Sequence, residues 1–406
     1  MRILLIHRYF WPDSPPYGHI LKMIAERLAA DGYKVTVLTT QPSYKQNSEE
    51  LKRPKRESIS SVQIVRIWLP STSRGAIASV FNSMVFALSV FIYILKHRCE
   101  LVMISTMPPV AGCFAVRMAC VLTGAKYLYH CMDLYPEILK YLGHLGGGML
   151  YKLLLKIDRN NINGSVNTIV LSSDMKNTLA KREGINNEKI LVLNNFEICD
   201  ADNAALVEYT HLLKRPGKFR VLFAGNIGRF QGLETIIYTA RKLSDNPDIE
   251  FVFMGEGKSL PILKEKAADL EGKNVLFIPH QPLNISRKVI SNADMGVISL
   301  AKGVYHFSFP SKMMTYVCES LTLLVVVEGK SELASIVRSN GIGYVVEQND
   351  AEAMKRAILK SFNNKSTDKE KMHAAFPFIE RSYGMSQVLD AWSDKFKKLE
   401  EQLRSG

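Results

Sequence analysis

The sequence predicts an α/β protein made of two doubly wound parallel-sheet domains in tandem. Its 406 residues exceed what one hydrophobic core usually serves and suggest two domains. Short apolar runs alternate with segments of helical period, the pattern of buried parallel strands joined by crossover helices. That alternation restarts at Phe219 after a polar connection. The expected layout is a first domain over 1–200, a linker over 201–217 and a second domain over 218–380. A C-terminal helix over 381–406 is expected to pack back on the first domain.

The apolar fraction, 47%, is that of an ordinary globular protein. Six cysteines show no CxxC pair and lie mostly among apolar residues, so they read as reduced thiols of a cytoplasmic protein. The opening MRILLIHRYF reads as a strand running into a Pro-rich loop, not as a signal peptide. The net charge is +13, and residues 1–156 carry 19 Lys/Arg against 9 Asp/Glu. No zinc, RNP or helix-turn-helix pattern accompanies that charge. It points to phosphorylated ligands or an anionic membrane surface before nucleic acid. Plain solubility is the other explanation.

Arg2–His7 reads as a buried strand, followed by a loop, a helix over Ile20–Ala30 and a strand over Tyr33–Thr39. Only Gly18 is available in the first loop, so the dinucleotide fingerprint is absent. Ser43–Glu57, with KRPKR at 52–56, reads as a solvated loop, and Val62–Leu69 as a third strand. Ala76–Leu95 has no charged residue and is long enough to span a bilayer. Strands on either side belong to one sheet, which argues against a single crossing. The stretch is either a helix with one face at the bilayer or a buried crossover helix, and Arg74, Lys96 and Arg98 flank it. Lys126–His130 is a strand ending in Cys131-Met132-Asp133-Leu134-Tyr135-Pro136-Glu137. His130 and Asp133 at a strand's carboxyl end stand where α/β enzymes place chemistry, although an isolated histidine is often a core residue.

In the second half, Phe219–Ala224 is a strand and Gly225–Gly232, GNIGRFQG, a Gly-rich loop before a helix. Gly residues permit close approach to a phosphate, and Arg229 adds charge. Glu250–Met254 leads into Gly255-Glu256-Gly257. Met295–Ser299 leads into AKGVYHFSFPSKMMTY at 301–316. There Pro310 and Ser311 read as a helix start, and Lys312 would put a cation on its first turn. Lys365–Lys371 reads as a charged loop, and a last helix covers about Met385–Leu403.

These motifs, GNIGRFQG, Gly255-Glu256-Gly257 and Phe309-Pro310-Ser311-Lys312, resemble those of family four (GT4) retaining glycosyltransferases. YHCMDLYPE at 129–137 and the opening YFWPD resemble the WbuB-like O-antigen and capsule branch. The resemblance implies the GT-B fold, two Rossmann-like domains facing a cleft. It implies donor contacts at Gly228, Arg229, Gln231, Gly255, Glu256, Pro310, Ser311, Lys312 and Thr315. It makes His130 and Asp133 the catalytic pair and puts Gly18 in a loop across the cleft. The implied reaction moves a sugar, N-acetyl-fucosamine or another N-acetylated hexosamine, from a nucleotide-diphosphate sugar, UDP-linked by preference. The implied acceptor is an undecaprenyl-diphosphate-linked saccharide, with the enzyme peripheral on the inner membrane. No metal or other cofactor is implied. Two positions where the family often carries glutamates hold Phe307 and Thr315, and Gln231 stands where the family often has lysine. A GT-B sugar-nucleotide epimerase and an inactive GT-B scaffold are the competing readings.

Overall fold

A computed structural model describes residues 1–13, 16–43, 52–70, 75–196 and 207–405. The chain divides into two compact units, Met1–Asn195 with Ser386–Gly406, and Phe196–Met385. In the first, β1 (Arg2–Ile6), α1 (Pro16–Ala30), β2 (Lys34–Thr40), β3 (Arg56–Ile59) and β4 (Val62–Ile67) come first. Then follow α2 (Ala76–Lys96), β5 (Leu101–Ser105), α3 (Ala111–Thr123), β6 (Lys126–Cys131), α4 (Glu137–Tyr141), α5 (Met149–Gly164), β7 (Asn167–Val170), α6 (Ser173–Ala180) and β8 (Ile190–Val192). The second unit holds β9 (Phe219–Ala224), α7 (Glu234–Lys242), β10 (Ile249–Met254), α8 (Leu260–Lys266), β11 (Val275–Ile278), α9 (Leu283–Ser291) and β12 (Met295–Ser299). It continues with α10 (Lys312–Cys318), β13 (Thr322–Val326), α11 (Glu332–Asn340), β14 (Gly343–Val346), α12 (Ala351–Asn363) and α13 (Lys365–Tyr383), and α14 (Met385–Ser405) ends the chain.

The first sheet runs β3-β4-β2-β1-β5-β6-β7-β8, parallel except for β3 against β4. The connections through α2, α3 and α5 step one way across it, and the connection through α1 steps the other way. Right-handed crossovers therefore put α1 on one face and the other three on the opposite face. The terminal helix α14 belongs to this unit, with Asp390 paired to Arg27 of α1 and Lys395 donating to Asn167. The second sheet, β11-β10-β9-β12-β13-β14, is wholly parallel. Its central strands β9, β12 and β13 are buried at every residue, as strands covered by helices on both faces must be.

Several expectations change. Arg56–Ile59 forms an edge strand that begins within the last residues of the predicted 43–57 loop, turned back by Ser60 and Ser61 at positive φ. Its polar residues suit an edge, which needs no apolar alternation. The predicted loop at 365–371 is the start of α13. The part of the predicted linker that is described packs in the second unit, where the Leu212 carbonyl accepts from buried Arg220 and Lys214 pairs with Asp294. Residues 201–206 and Arg74 lie outside the described residues. Cys318 is disulfide-bonded, which corrects the reading of all six cysteines as reduced. Cys99, Cys113, Cys120 and Cys131 are free.

α2 is neither a fully buried crossover nor uniformly apolar in its surroundings. Asn82, Phe86, Val90 and Ile94 face the protein, while Ile77, Phe81, Met84, Leu88, Ile92 and Leu95 stand exposed on the opposite side.

Two glycines fix how the strand ends of the second sheet meet. Gly255 and Gly257 have φ of +144° and +157°. A Cβ at either would overlap the carbonyl oxygen of Gly225 or Ile227. The two loops are stitched there by Gly225 N to Met254 O, 2.8 Å, and Ile227 N to Glu256 O, 2.8 Å. Gly255→Ala should therefore cost about 3 kcal/mol or more through strain and overlap, read as a lowered urea midpoint with an unchanged slope.

Candidate active site

In the second unit, the ends of β9 and β12 converge on one short segment. The loop after β9 is held on both sides. On one side it meets the Gly255–Gly257 turn. On the other, Ala301 N donates to Phe230 O at 2.6 Å, and Ser299 Oγ donates to the Gln231 carbonyl. A cavity of about 170 Å³ lies beside this seam, lined by Phe230, Gln231, Ser299, Phe309, Pro310, Ser311 and Lys312 among others. Within this unit the structure thus brings together the predicted residues Gln231, Pro310, Ser311 and Lys312.

Lys312 is the first residue of α10. Its ammonium lies 4.7 Å from the centre of the Phe223 ring, and a Cβ on Gly225 would strike its Cε. Burial pushes its pKa down to about 8, and no neighbouring carboxylate counters that. Among the described residues it forms no ion pair. Such a cation is poorly solvated and favours an anion placed against it. Ser311 caps α10 without a side-chain hydrogen bond. The helix begins at Lys312, so Pro310 precedes it and does not occupy its first turn. Thr315 sits one turn further on, on the Lys312 side of α10. Tyr316, four residues after Lys312 and on the same side of α10, packs over Gly296, and its hydroxyl accepts from Ala224 N at 2.9 Å, fixing the end of β9.

Gln231 does more than line the cavity. Its Oε1 accepts from Gly228 N at 3.0 Å, so it closes the turn that carries Arg229. Arg229 and Glu256 are exposed on the two stitched loops.

The first unit gathers polar residues at the carboxyl ends of β1, β5 and β6. Ser105 and His130 are register partners, and His7 Nδ1 hydrogen-bonds Ser105 Oγ. Tyr17 hydroxyl and His130 Nδ1 share a 2.8 Å hydrogen bond, and the His130 ring meets Trp392 of α14 edge-on. His130 is 1% exposed. Burial brings both imidazoles down to about 3, with His130 adding to the shift of His7, so both are neutral near pH 7. Asp133 is part-exposed just beyond the strand end and does not figure in the shift of His130. Around His130 the structure gathers a buried network that reaches His7, Tyr17, Ser105 and Trp392. Gly18 sits in the first turn of α1, not in a loop. Its Cβ position lies 3.3 Å from the Tyr9 carbonyl oxygen, so it lets α1 press on the loop after β1. Glu137 of the same motif is structural: it and buried Asp158 both hold Arg182.

Four buried polar atoms near the carboxyl ends of this sheet have no partner: Arg8 Nε, Thr106 Oγ1, His130 Nε2 and Asn194 Oδ1. Buried polar groups normally find partners, so this edge is where a polar ligand or water gains most. Strand ends were the available sequence signal for His7 and Ser105. Nothing local marks Trp392, which arrives from the far end of the chain. Among the described residues no group of three or more His, Cys, Asp or Glu could hold a metal ion.

Comparison with known proteins follows the same division. Residues 17–195 match the family described as glycosyl transferase 4-like domain, and residues 210–375 match glycosyl transferases group 1. The putative colanic acid biosynthesis glycosyl transferase WcaI of Escherichia coli K12 is 25% identical over 376 residues, spanning 88% of this chain and 91% of that protein. Among solved structures, sucrose-phosphate synthase from Thermosynechococcus elongatus aligns with a TM-score of 0.77 at 14% identity, over 99% of each chain. Anabaena HepE, solved with UDP and glucose, aligns at 0.72 and 12% identity, over 98% of this chain and 100% of that one. Two tandem parallel-sheet units and two domain matches that together span most of the sequence lead to one assignment: the chain is a glycosyltransferase of GT-B fold, with a glycosyl transferase 4-like domain followed by a group 1 domain.

Proposed function

We propose that this glycosyltransferase is a retaining enzyme of polysaccharide assembly. It takes a sugar, N-acetyl-fucosamine or another N-acetylated hexosamine, from a UDP-sugar to an undecaprenyl-diphosphate-linked saccharide. It acts as a peripheral protein of the inner membrane in a WbuB-like O-antigen or capsule pathway. Support for the pathway comes from the names of relatives such as WcaI and the probable glycosyltransferase WbjE of Pseudomonas aeruginosa. Support for the nucleotide comes from the UDP held by HepE. No observation favours the epimerase or scaffold readings over a transferase.

The observation that carries the donor site is Lys312, a half-buried cation lining the cavity with no carboxylate beside it, at the seam of the Gly-rich loop. Retention without a covalent intermediate asks little of a nucleophile. It asks for stabilisation of the leaving diphosphate and for alignment of the acceptor hydroxyl with the anomeric carbon. Lys312 and Arg229 supply the first. Thr315 offers a hydroxyl to the ribose, and Gly228, Gly255, Glu256, Pro310 and Ser311 shape the pocket. In the first unit, His130 is a positioning residue that holds Tyr17 and the first turn of α1. Asp133, part-exposed just beyond the strand end, takes the substrate-facing role.

Charge-assisted hydrogen bonds contribute about 1.5–3 kcal/mol each. Lys312→Ala and Arg229→Ala should therefore each weaken UDP binding by roughly tenfold or more in calorimetry; unchanged affinity in both removes the assignment. The depressed pKa of Lys312 sets a pH dependence. Diphosphate favours the ammonium form, so UDP affinity should hold below pH 8 and decline as pH rises past about 8. In Lys312→Met that decline should vanish. In steady-state transfer, Asp133→Asn should lower kcat by about 10²-fold with UDP affinity intact, the scale of a group acting in proton transfer or orientation. His130→Gln, which retains a hydrogen bond toward Tyr17, should keep far more activity than His130→Ala. Equal losses in the two His130 variants would contradict the positioning role.

A further inference from the structure

The exposed apolar surface of α2 continues beyond that helix. α3, packed against α2, exposes Phe114, Met118, Val121 and Leu122, with Val121 at 72%. α5, packed against α3, exposes Met149, Leu150 and Leu153, with Met149 at 88%. All three helices lie on the same face of the first sheet by the handedness of their connections. α1, on the other face, exposes no large apolar residue among those described. The second unit exposes only scattered ones, such as Tyr238, Ile262 and Leu283. Apolar surface this extensive on one side of a folded unit marks a place where something docks.

The charges select the occupant. Lys96 and Arg98 stand exposed at the end of α2, and Lys152 and Lys156 stand exposed among the apolar residues of α5. The single acidic residue on the three helices, Asp158, is buried against Arg182. An apolar face rimmed by lysine and arginine fits an anionic bilayer, into which apolar side chains sink while basic heads stay at the phosphates. A second copy fits it badly, because symmetric pairing would bring two cationic rims together.

We infer that α2, α3 and α5 form one membrane-docking face that binds anionic phospholipid, with Lys152 and Lys156 as headgroup contacts. This deepens the peripheral reading given above and rests on it only for the identity of the membrane. The face extends well past the apolar stretch on α2, so α2 alone does not account for binding.

Flotation of the full-length protein with phosphatidylcholine vesicles, with or without about one-third phosphatidylglycerol, tests it. The protein should float with the anionic vesicles and far less with the neutral ones. Val121→Glu with Leu122→Glu on α3, and Leu150→Glu with Leu153→Glu on α5, should each abolish flotation. Lys152→Ala and Lys156→Ala should lower vesicle affinity about fivefold each. Ile262→Glu in the second unit should change nothing. UDP affinity, measured in every variant, confirms that each is folded. Full flotation of the α3 and α5 variants would overturn the three-helix face. So would a protein that ignores anionic vesicles and forms a dimer in light scattering that these same substitutions dissolve. Vesicle binding without transfer to a lipid-diphosphate acceptor would leave the docking face standing and sink the acceptor assignment. Transfer to that acceptor by a protein that never binds vesicles would do the reverse.

Discussion

The second unit is organised around a half-buried ammonium group that lines a cavity and that no carboxylate neutralises. Burial disfavours the charged form of Lys312, and the neighbours provided are an aromatic ring and a glycine. None of them cancels the charge. A protein built for stability alone would place a carboxylate or an apolar residue there. The surroundings hold this arrangement in place. Tyr316 pins the end of β9, and Gln231 closes the Arg229 turn. The absence of a Cβ on Gly255 and Gly257 lets two loops meet backbone to backbone. The cost of the half-buried cation is offset when an anion arrives, which is how a site gains affinity from preorganisation.

The first unit uses a different device. Its polar strand ends are neutral imidazoles and hydroxyls packed among aromatic rings, with Trp392 of the last helix closing over His130. This arrangement suits the placement of hydroxyl-rich ligands better than the holding of charge. Its asymmetry is also marked on a larger scale. One face of its sheet is covered by α1 and α14 with their apolar sides buried. On the other face, the helices α2, α3 and α5 keep apolar outer sides.

Much of this was legible in the sequence, and the reasons differ by residue. Gly225–Gly232 and Phe309–Lys312 could be read because glycine and proline carry backbone meaning that holds in any context. The amphipathic character of α2 could be suspected, but its length and composition suit a buried helix equally well, and only packing shows which side is covered. His130 was harder. β6 is buried on both faces, so period-two alternation gives no sign of which way a side chain points. Its partners Tyr17 and Trp392 lie 113 and 262 residues away in sequence, beyond any local pattern. β3 was missed because an edge strand of polar residues resembles a loop. The start of α13 was missed because a run of charged residues on a helix resembles a solvated linker. Gln231 shows a further limit: the family resemblance implied a place near the phosphates, while the structure turns its side chain back onto Gly228.

The most direct test of the half-buried cation is the titration of Lys312 itself, followed by NMR of side-chain-labelled lysine in the wild type, with Lys312→Arg identifying the signal. In the free protein the resonance should titrate near pH 8, well below the ordinary lysine value of about 10.4. With saturating UDP it should move up by a unit or more, because the diphosphate stabilises the charged form. A free-protein midpoint in the ordinary lysine range, or one that UDP leaves unmoved, would contradict the account.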